Sequence, residues 1–345
     1  MEHVAIDLGR PNSVKCEMGV DGKRVVLRFR LNRKRLDELF GDRPECRVLI
    51  ESSTDSEWVA LHLEGLGHEV IVADPNYAAM YGERNRKVKT DNRDAAALLD
   101  ANRMGVYREA YRRSSDQRRV IGMLRIRTSL VRTRTRWINA VRAQLRGEGH
   151  QIPSGSSENF ARRVREMELA DDLRSLVQPL LDLMAPLNEQ LTQLDREVAA
   201  LGQSDPRVAL LQTAPMVGPL TAAGSVALVD DVTRFPRAHN LESYLGLVPG
   251  EKSSSEKRLR LGITKRGDSF ERWLLVEAGW SILRSRRVDC FELRRWGEGI
   301  ASRRGKKVAA VALARRLAGI LYAMLRDNKP FDPTRIGSQS RRKAA

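Results

Sequence analysis

Val4-Ala-Ile-Asp-Leu-Gly9, Ser13 to Val20 and Arg24-Val-Val-Leu-Arg-Phe-Arg30 follow one another at the start of the chain, and they decide the fold. The first is a short apolar run broken by one acid, the third alternates apolar and basic residues, and Asp21-Gly22 between the last two is a hairpin signal. They predict three antiparallel strands. A helix over 33–40, a strand Cys46-Arg-Val-Leu-Ile-Glu51, a helix over 56–66 and a strand Glu69-Val-Ile-Val-Ala-Asp74 follow. Trp58, Leu61 and Leu66 are the expected buried stripe of the second helix, with Gly67 as its cap. A hairpin that gives way to alternating strand and helix predicts an α/β domain with a mixed sheet. In such sheets, sites gather at the carboxyl ends of the strands.

The next decisive stretch is Lys87-Val-Lys-Thr-Asp-Asn-Arg-Asp-Ala-Ala-Ala-Leu-Leu99. A helix starting near Asp91 puts Asp91 and Asp94 on one face. Taken alone, they are acids in a first helical turn, where the macrodipole favours them. Asp7 and Glu51, however, each sit in or at the end of an apolar strand. Four carboxylates at one end of a sheet describe a site for divalent metal and nucleic-acid phosphate, because a two-metal phosphoryl-transfer centre needs hard oxygen ligands. Asp74, before Pro75, reads instead as a turn-initiating acid. Three strands, helix, strand, helix, strand is the order of the ribonuclease H-like fold.

Length and charge narrow the partners. The 345 residues allow two or three domains, and the formal net charge of +17 favours a polyanion, nucleic acid first. The longest apolar run, 308–325, is cut by Arg315 and Arg316, so no membrane anchor is expected. The N-terminus enters a strand directly, so no signal peptide is expected. Cys16, Cys46 and Cys290 lack metal-ligand spacing and fit a reducing, cytoplasmic setting.

From 114 to 150 apolar residues recur at helical spacing while Arg125, Arg127, Arg132, Arg134, Arg136, Arg142 and Arg146 fill other positions, with no acid between Gln117 and Gly147. Ion pairs along this helix cannot form, and its arginines are expected to hold phosphates. A second long helix carries Leu173, Leu176, Leu180, Leu183, Leu187, Leu191, Leu194, Val198 and Leu201, a coiled-coil seam with a stutter near Leu187. Pro179 and Pro186 should kink it. It pairs with the preceding helix, with another protomer, or with both. Leu210 to Ala222 suggests a helix-hairpin-helix with Met216 where the tight turn favours glycine. Tyr244-Leu-Gly-Leu-Val-Pro249 leads to a polar loop holding Ser253, Ser254 and Ser255 beside Lys257, Arg258 and Arg260, then Lys265 and Arg266. A linker is the plain reading of the serine run. A hydroxyl among cations is also suited to attack a phosphodiester once a metal or base activates it. Helices over 269–284 and 306–326 and a basic tail complete the chain. The expected divisions are 1–110, a helical 111–203, a mainly α 204–335 and a tail 336–345.

Ala-Ile-Asp-Leu-Gly, Ile-Glu-Ser-Ser, Lys-Thr-Asp-Asn-Arg-Asp-Ala, the central coiled coil, Pro-Met-Val-Gly-Pro-Leu-Thr-Ala, Leu-Gly-Leu-Val-Pro with its serine loop, Ile-Thr-Lys-Arg-Gly-Asp and Lys-Pro-Phe-Asp together resemble the DEDD transposases of the insertion-sequence one-ten family. The resemblance covers nearly the whole chain. It implies a RuvC-like, ribonuclease H-fold N-terminal domain whose acids correspond to Asp7, Glu51, Asp91 and Asp94, holding Mg2+ or Mn2+. It also implies a C-terminal transposase domain whose nucleophilic serine corresponds to Ser254, a 5′-phosphoserine link to DNA, and a structured bridge RNA as guide. Dimers and tetramers acting on DNA at the nucleoid are implied as well. The chain departs from the family pattern at Glu51-Ser-Ser-Thr54, which lacks the usual glycine, at Met216, and in its third loop serine. A RuvC-like nuclease using water and a non-catalytic nucleic-acid-binding protein are the competing readings.

Overall fold

The computed structural model describes residues 1–19, 21–75, 91–254 and 257–334, with 252–254 and 257–260 described through their backbone. The expected tail 336–345 and the basic lead-in Lys87 to Thr90 lie outside the described residues. Two compact units divide the chain, 1–112 and 113–345.

The first unit is a mixed α/β structure. β1 (Glu2–Asp7), β2 (Asn12–Met18) and β3 (Arg24–Arg30) form an antiparallel meander, followed by α1 (Arg33–Phe40), β4 (Cys46–Glu51), α2 (Ser56–Gly65), β5 (Glu69–Ala73) and α3 (Asp91–Met104). The sheet order is β3-β2-β1-β4-β5, with β4 parallel to both β1 and β5. Gly22, with φ of +74°, takes the left-handed conformation that the β2–β3 turn needs. Strand alternation divides the core between two faces. Val4, Ile6, Val48 and Ile50 pack with Leu36, Phe40, Val59 and Leu63 of α1 and α2, while Ala5, Leu49, Val14 and Cys16 pack with Ala95, Leu98 and Leu99 of α3.

α1 is capped by Asn32, whose side chain accepts from the Arg35 N–H at 2.9 Å. α2 ends as the sequence indicates: His68 N–H bonds Leu63 O, Gly67 N–H bonds Glu64 O, and Gly67 has φ of +91°. Its buried stripe differs from the expected one. Ser56, Val59, Ala60 and Leu63 are buried, Trp58 and Leu66 pack partly buried against the same core, with the Trp58 indole N–H donating to Asp55, and Leu61 is exposed. Two helical phases of similar apolarity compete there, and the one offering small Ala60 packs closer.

The second unit is mainly helical: α4 (Ser115–Gly147), α5 (Phe160–Arg165), α6 (Asp171–Ser204), α7 (Pro206–Leu211), α8 (Pro219–Val229), α9 (Ala238–Tyr244), the hairpin β6 (Pro249–Ser254) and β7 (Lys257–Ile263), α10 (Ser269–Arg284), α11 (Phe291–Arg304) and α12 (Lys306–Asp327). α4 and α6 pair antiparallel. Ile138, Val141 and Leu145 meet Leu173, Val177, Leu181 and Met184, and Arg127 reaches Asp195 near the other end. α6 runs through both Pro179 and Pro186. Its buried seam is Leu173, Val177, Leu181, Met184, Leu187, Leu191 and Val198, whereas the expected Leu176 and Leu183 are 61% and 50% exposed. Leu173, Leu187, Leu191 and Val198 of the expected seam are buried; between them, contact with α4 takes Val177, Leu181 and Met184 in place of Leu176, Leu180 and Leu183.

α12 is long and apolar enough to cross a membrane. Here it is the core helix of the second unit, with Ala309, Ala310, Leu313, Ala314, Leu317 and Leu321 buried and α12 packed against α7, α9, α10 and α11. The polar stretch after Pro249 is a hairpin, not a loop, because Lys257 to Leu261 carries a period-two pattern that the serines mask. Between α7 and α8, Met216 has φ of +60°, the conformation the turn asks of glycine.

One buried acid stands out. Glu271 on α10 is 2% exposed; Ser225 Oγ donates to its Oε1 at 2.5 Å while Oε2 has no partner. Burial pushes its pKa up to about 8, so the folded protein holds a proton that the unfolded chain releases near pH 4.5. Stability is therefore greatest below that ordinary value and declines as pH rises through the folded value, by about 1.4 kcal/mol per unit at most. Glu271→Gln keeps the acceptor for Ser225. Its melting temperature relative to the wild type should rise steadily from pH 5 to 8 and level off above; a constant difference in calorimetric scans would mean that Glu271 is ionised in the folded state. At the turn, Met216→Gly should keep or raise the melting temperature, since left-handed backbone costs other residues about 1–2 kcal/mol. Met216→Val should lower it by several degrees, because branching at Cβ worsens the clash.

Candidate active site

Asp7 and Glu51 end neighbouring parallel strands. The register pairs Ile6 with Ile50, so the two acids come next, side by side. Alternation places both on the Ala5 and Leu49 face, the face that α3 covers.

The height of α3 on that face is set by a residue the sequence reading missed. Asn102 is buried, and its Nδ2 donates to Val4 O at 2.8 Å and Arg47 O at 2.9 Å, while its Oδ1 lies 3.1 Å from His3 Nδ1. Two ion pairs fix the direction: Asp100 with Arg24 and Asp91 with Arg28. Four residues of strand span about 13 Å and nine of helix about 13.5 Å, so α3 runs antiparallel to β1 and in step with it. Eight residues back from Asn102, Asp94 is about 12 Å along the helix. Asp7 is about 10 Å beyond Val4 and Glu51 about 13 Å beyond Arg47. Asp94 thus comes level with both.

Asp7, Glu51 and Asp94 are half-buried, and Asp91, one turn further out, is exposed with its carboxylate 2.5 Å from Arg28 Nη2. Hard carboxylate oxygens on one sheet face are the donor chemistry that a divalent cation takes. Among the described residues, no three His, Cys, Asp or Glu side chains are already close enough to hold an ion. Asp91 in particular is held by a guanidinium. Arg28 had only a weak signal, one of three arginines in an alternating strand.

In the second unit, Ser254 is the last residue of β6 and pairs in register with Lys257, while Ser253 pairs with Arg258 and Glu251 with Arg260. Ser255 lies outside the described residues. The base of this hairpin is interlocked. Gly246 has φ of +67° and Gly267 of +80°, and a Cβ on Gly267 would collide with the Tyr244 carbonyl, one on Gly246 with the Arg266 backbone. Lys265 N–H bonds Gly246 O at 3.1 Å, and Arg272 reaches Leu245 O and Arg266 O at 2.8 and 3.1 Å. Lys265, at φ of +56°, and Arg266 are exposed.

The α4 arginines differ in what they do. Arg125 pairs with Asp268, the cap of α10, at 2.9 Å; Arg127 pairs with Asp195; Arg134 meets Glu158 at 2.9 Å and Asn188 at 3.0 Å. The acids missing from α4 beyond Asp116 are supplied to these three arginines by other elements. Arg142 lies over the Phe160 ring, and Arg132 and Arg136 are exposed.

Two family models match the sequence: a DEDD transposase model of the IS110 type over residues 4–149, and that of the transposase IS116/IS110/IS902 family over residues 208–292. The chain is 30% identical over 341 residues to a probable family 20 transposase of Pseudomonas aeruginosa, covering 96% of this chain and 99% of the relative. It is 28% identical to the transposase for insertion sequence element IS1328 of Yersinia enterocolitica (95% and 98% covered) and 26% identical to that for IS1111A of Coxiella burnetii (93% and 89%). A DEDD transposase domain implies a divalent metal, and a transposase binds DNA. With its carboxylates on a five-stranded mixed sheet and both models matched, the chain belongs to the IS110 family of DEDD transposases and is the DNA-transposing enzyme of an insertion sequence.

Proposed function

We propose that this transposase cuts and rejoins DNA by serine attack within a ribonuclease H-like, metal-assisted centre. The observation that carries the reading is the shared level of Asp7, Glu51 and Asp94 on the α3 face of the sheet. With Asp91 these residues would hold Mg2+ or Mn2+, which when bound neutralises charge on the scissile phosphate. Asp91 would have to exchange Arg28 for the ion.

Ser254 Oγ attacks phosphorus, the Oγ–P bond forms and the P–O3′ bond breaks. The proton lost by the serine ends on the departing 3′ oxygen. DNA is left joined through its 5′ phosphate to the enzyme. A 3′ hydroxyl from another strand then attacks that phosphorus, the P–Oγ bond breaks and the serine is restored. Lys257 across from Ser254, with Arg258, Arg260, Lys265 and Arg266 nearby in sequence, supplies cations for the backbone. The exposed Arg132, Arg136 and Arg142 serve DNA and a structured bridge RNA, to which base choice is delegated. The exposed Leu176 and Leu183 support self-association into dimers and, on DNA, tetramers.

In a supercoiled donor-plus-target assay with Mg2+, Ser254→Ala should abolish both strand exchange and the protein–DNA adduct seen on denaturing gels. Asp94→Asn should lower both by at least a hundredfold. Cutting by Ser254→Ala without an adduct would turn the reading to a RuvC-like nuclease using water. At the metal site, Arg28→Gln frees the Asp91 carboxylate and should tighten Mn2+ binding several-fold in a calorimetric titration; unchanged affinity would remove Asp91 from the ligand set.

A further inference from the structure

We propose that the corner between α11 and α12, Arg303-Arg304-Gly305-Lys306-Lys307, is a further DNA-binding surface that grips the phosphate backbone of a duplex without reading bases. Residues 302–308 are all exposed. Between Glu298 and Asp327 the chain has seven cations and no acid. Arg315 is paired with Glu242 at 2.6 Å, Arg316 stacks over Trp296 at 4.6 Å, and Arg326 is paired with Asp327. The four cations of the corner have no ion pair among the described residues; Arg303 donates only to Gly299 O, at 3.0 Å. On α4, by contrast, acids from other elements take up three of the arginines, Arg125, Arg127 and Arg134.

The corner also runs against local helix rules. Lys306 and Lys307 open α12, whose first turn holds no acid and whose cap, Gly305, has no side chain. Cations there face the positive end of the helix dipole and each other, a conflict with no compensation among the described residues. A polyanion relieves both repulsions. The charges are held on a firm support: Gly305, with φ of +85°, makes the one-residue joint, its N–H bonds Ala301 O at 2.9 Å, and Gly297 lets Leu313 of α12 pack directly onto α11. A duplex is favoured over single strands because stacking needs open aromatic faces. The nearby Trp296, on the same stripe of α11 as Arg303, is 37% exposed and has one face taken by Arg316.

The inference goes beyond the serine chemistry and does not rest on it. Its test uses the full chain, a 40-bp duplex of arbitrary sequence and a hairpin RNA of similar length, with Arg304→Gln/Lys306→Gln/Lys307→Gln beside the wild type. Duplex affinity should fall at least tenfold near 0.1 M salt, and the slope of log K against log salt should become shallower by roughly 2–3, as expected for three lost phosphate contacts. The melting temperature should be unchanged or higher, which excludes misfolding as the cause. An unchanged duplex slope, or a loss confined to the RNA hairpin, overturns the proposal. Because binding is read directly, the result holds whether or not the wild type forms a covalent adduct.

Discussion

A single carboxamide sets the geometry on which the first unit's chemistry depends. Asn102, itself buried, spends both amide hydrogens on carbonyls of two parallel strands and its oxygen on His3. Breaking such a set leaves the buried Asn102 amide without partners, at about 1–3 kcal/mol for each unsatisfied polar group, so α3 has one stable height on the sheet. Sliding the helix by one residue would shift Asp94 by about 1.5 Å and rotate it by about 100°, taking it off the face where Asp7 and Glu51 end. The ion pairs Arg24–Asp100 and Arg28–Asp91 repeat the same spacing on the sheet's edge strand. Placement is therefore set in the core, and the outer pairs follow it.

The second unit solves a comparable problem with backbone instead of side chains. A serine on a two-stranded ribbon is positioned only as well as the ribbon's base, since an isolated hairpin is marginal in water. Gly246 and Gly267 allow two main-chain segments to approach more closely than any side chain would permit, and Arg272 ties both with one guanidinium. Asp268 links this base to the long helix: it caps α10 through the N–H groups of Phe270 and Glu271 and receives Arg125 from α4.

Much of this was legible in the sequence, and the rest was hidden for specific reasons. The strand order, the starts of α1 and α3, the turn at Gly22 and the cap at Gly67 follow from local rules that act within a few residues. Asp7 and Glu51 could be placed at strand ends because apolar runs mark their strands. Asn102 could not be found, since an asparagine near the end of a helix has a plain local role and its partners lie 55 and 98 residues away. The buried phases of α2 and of the first half of α6 were placed only in part for a related reason. Periodicity fixes the angle between apolar residues but leaves the choice between adjacent stripes to the neighbour they meet. The serine hairpin was read as a loop because three serines obscure the alternation that β7 carries.

Charge was the least reliable guide at the level of single residues. A net charge of +17 points to a polyanionic partner, but does not say which cations meet it. On α4 the absence of acids in sequence suggested a uniform phosphate-binding face. Folding instead brings Asp195, Glu158 and Asp268 to three of those arginines. An arginine spent on an internal carboxylate must give up that partner before it binds a phosphate, so its contribution is a difference between two similar interactions. A cation without such a partner gives its full attraction to the ligand. What separates the two kinds is the fold's supply of acids, which is why the α11–α12 corner, unremarkable as sequence, stands apart once the carboxylates of the described residues meet their partners.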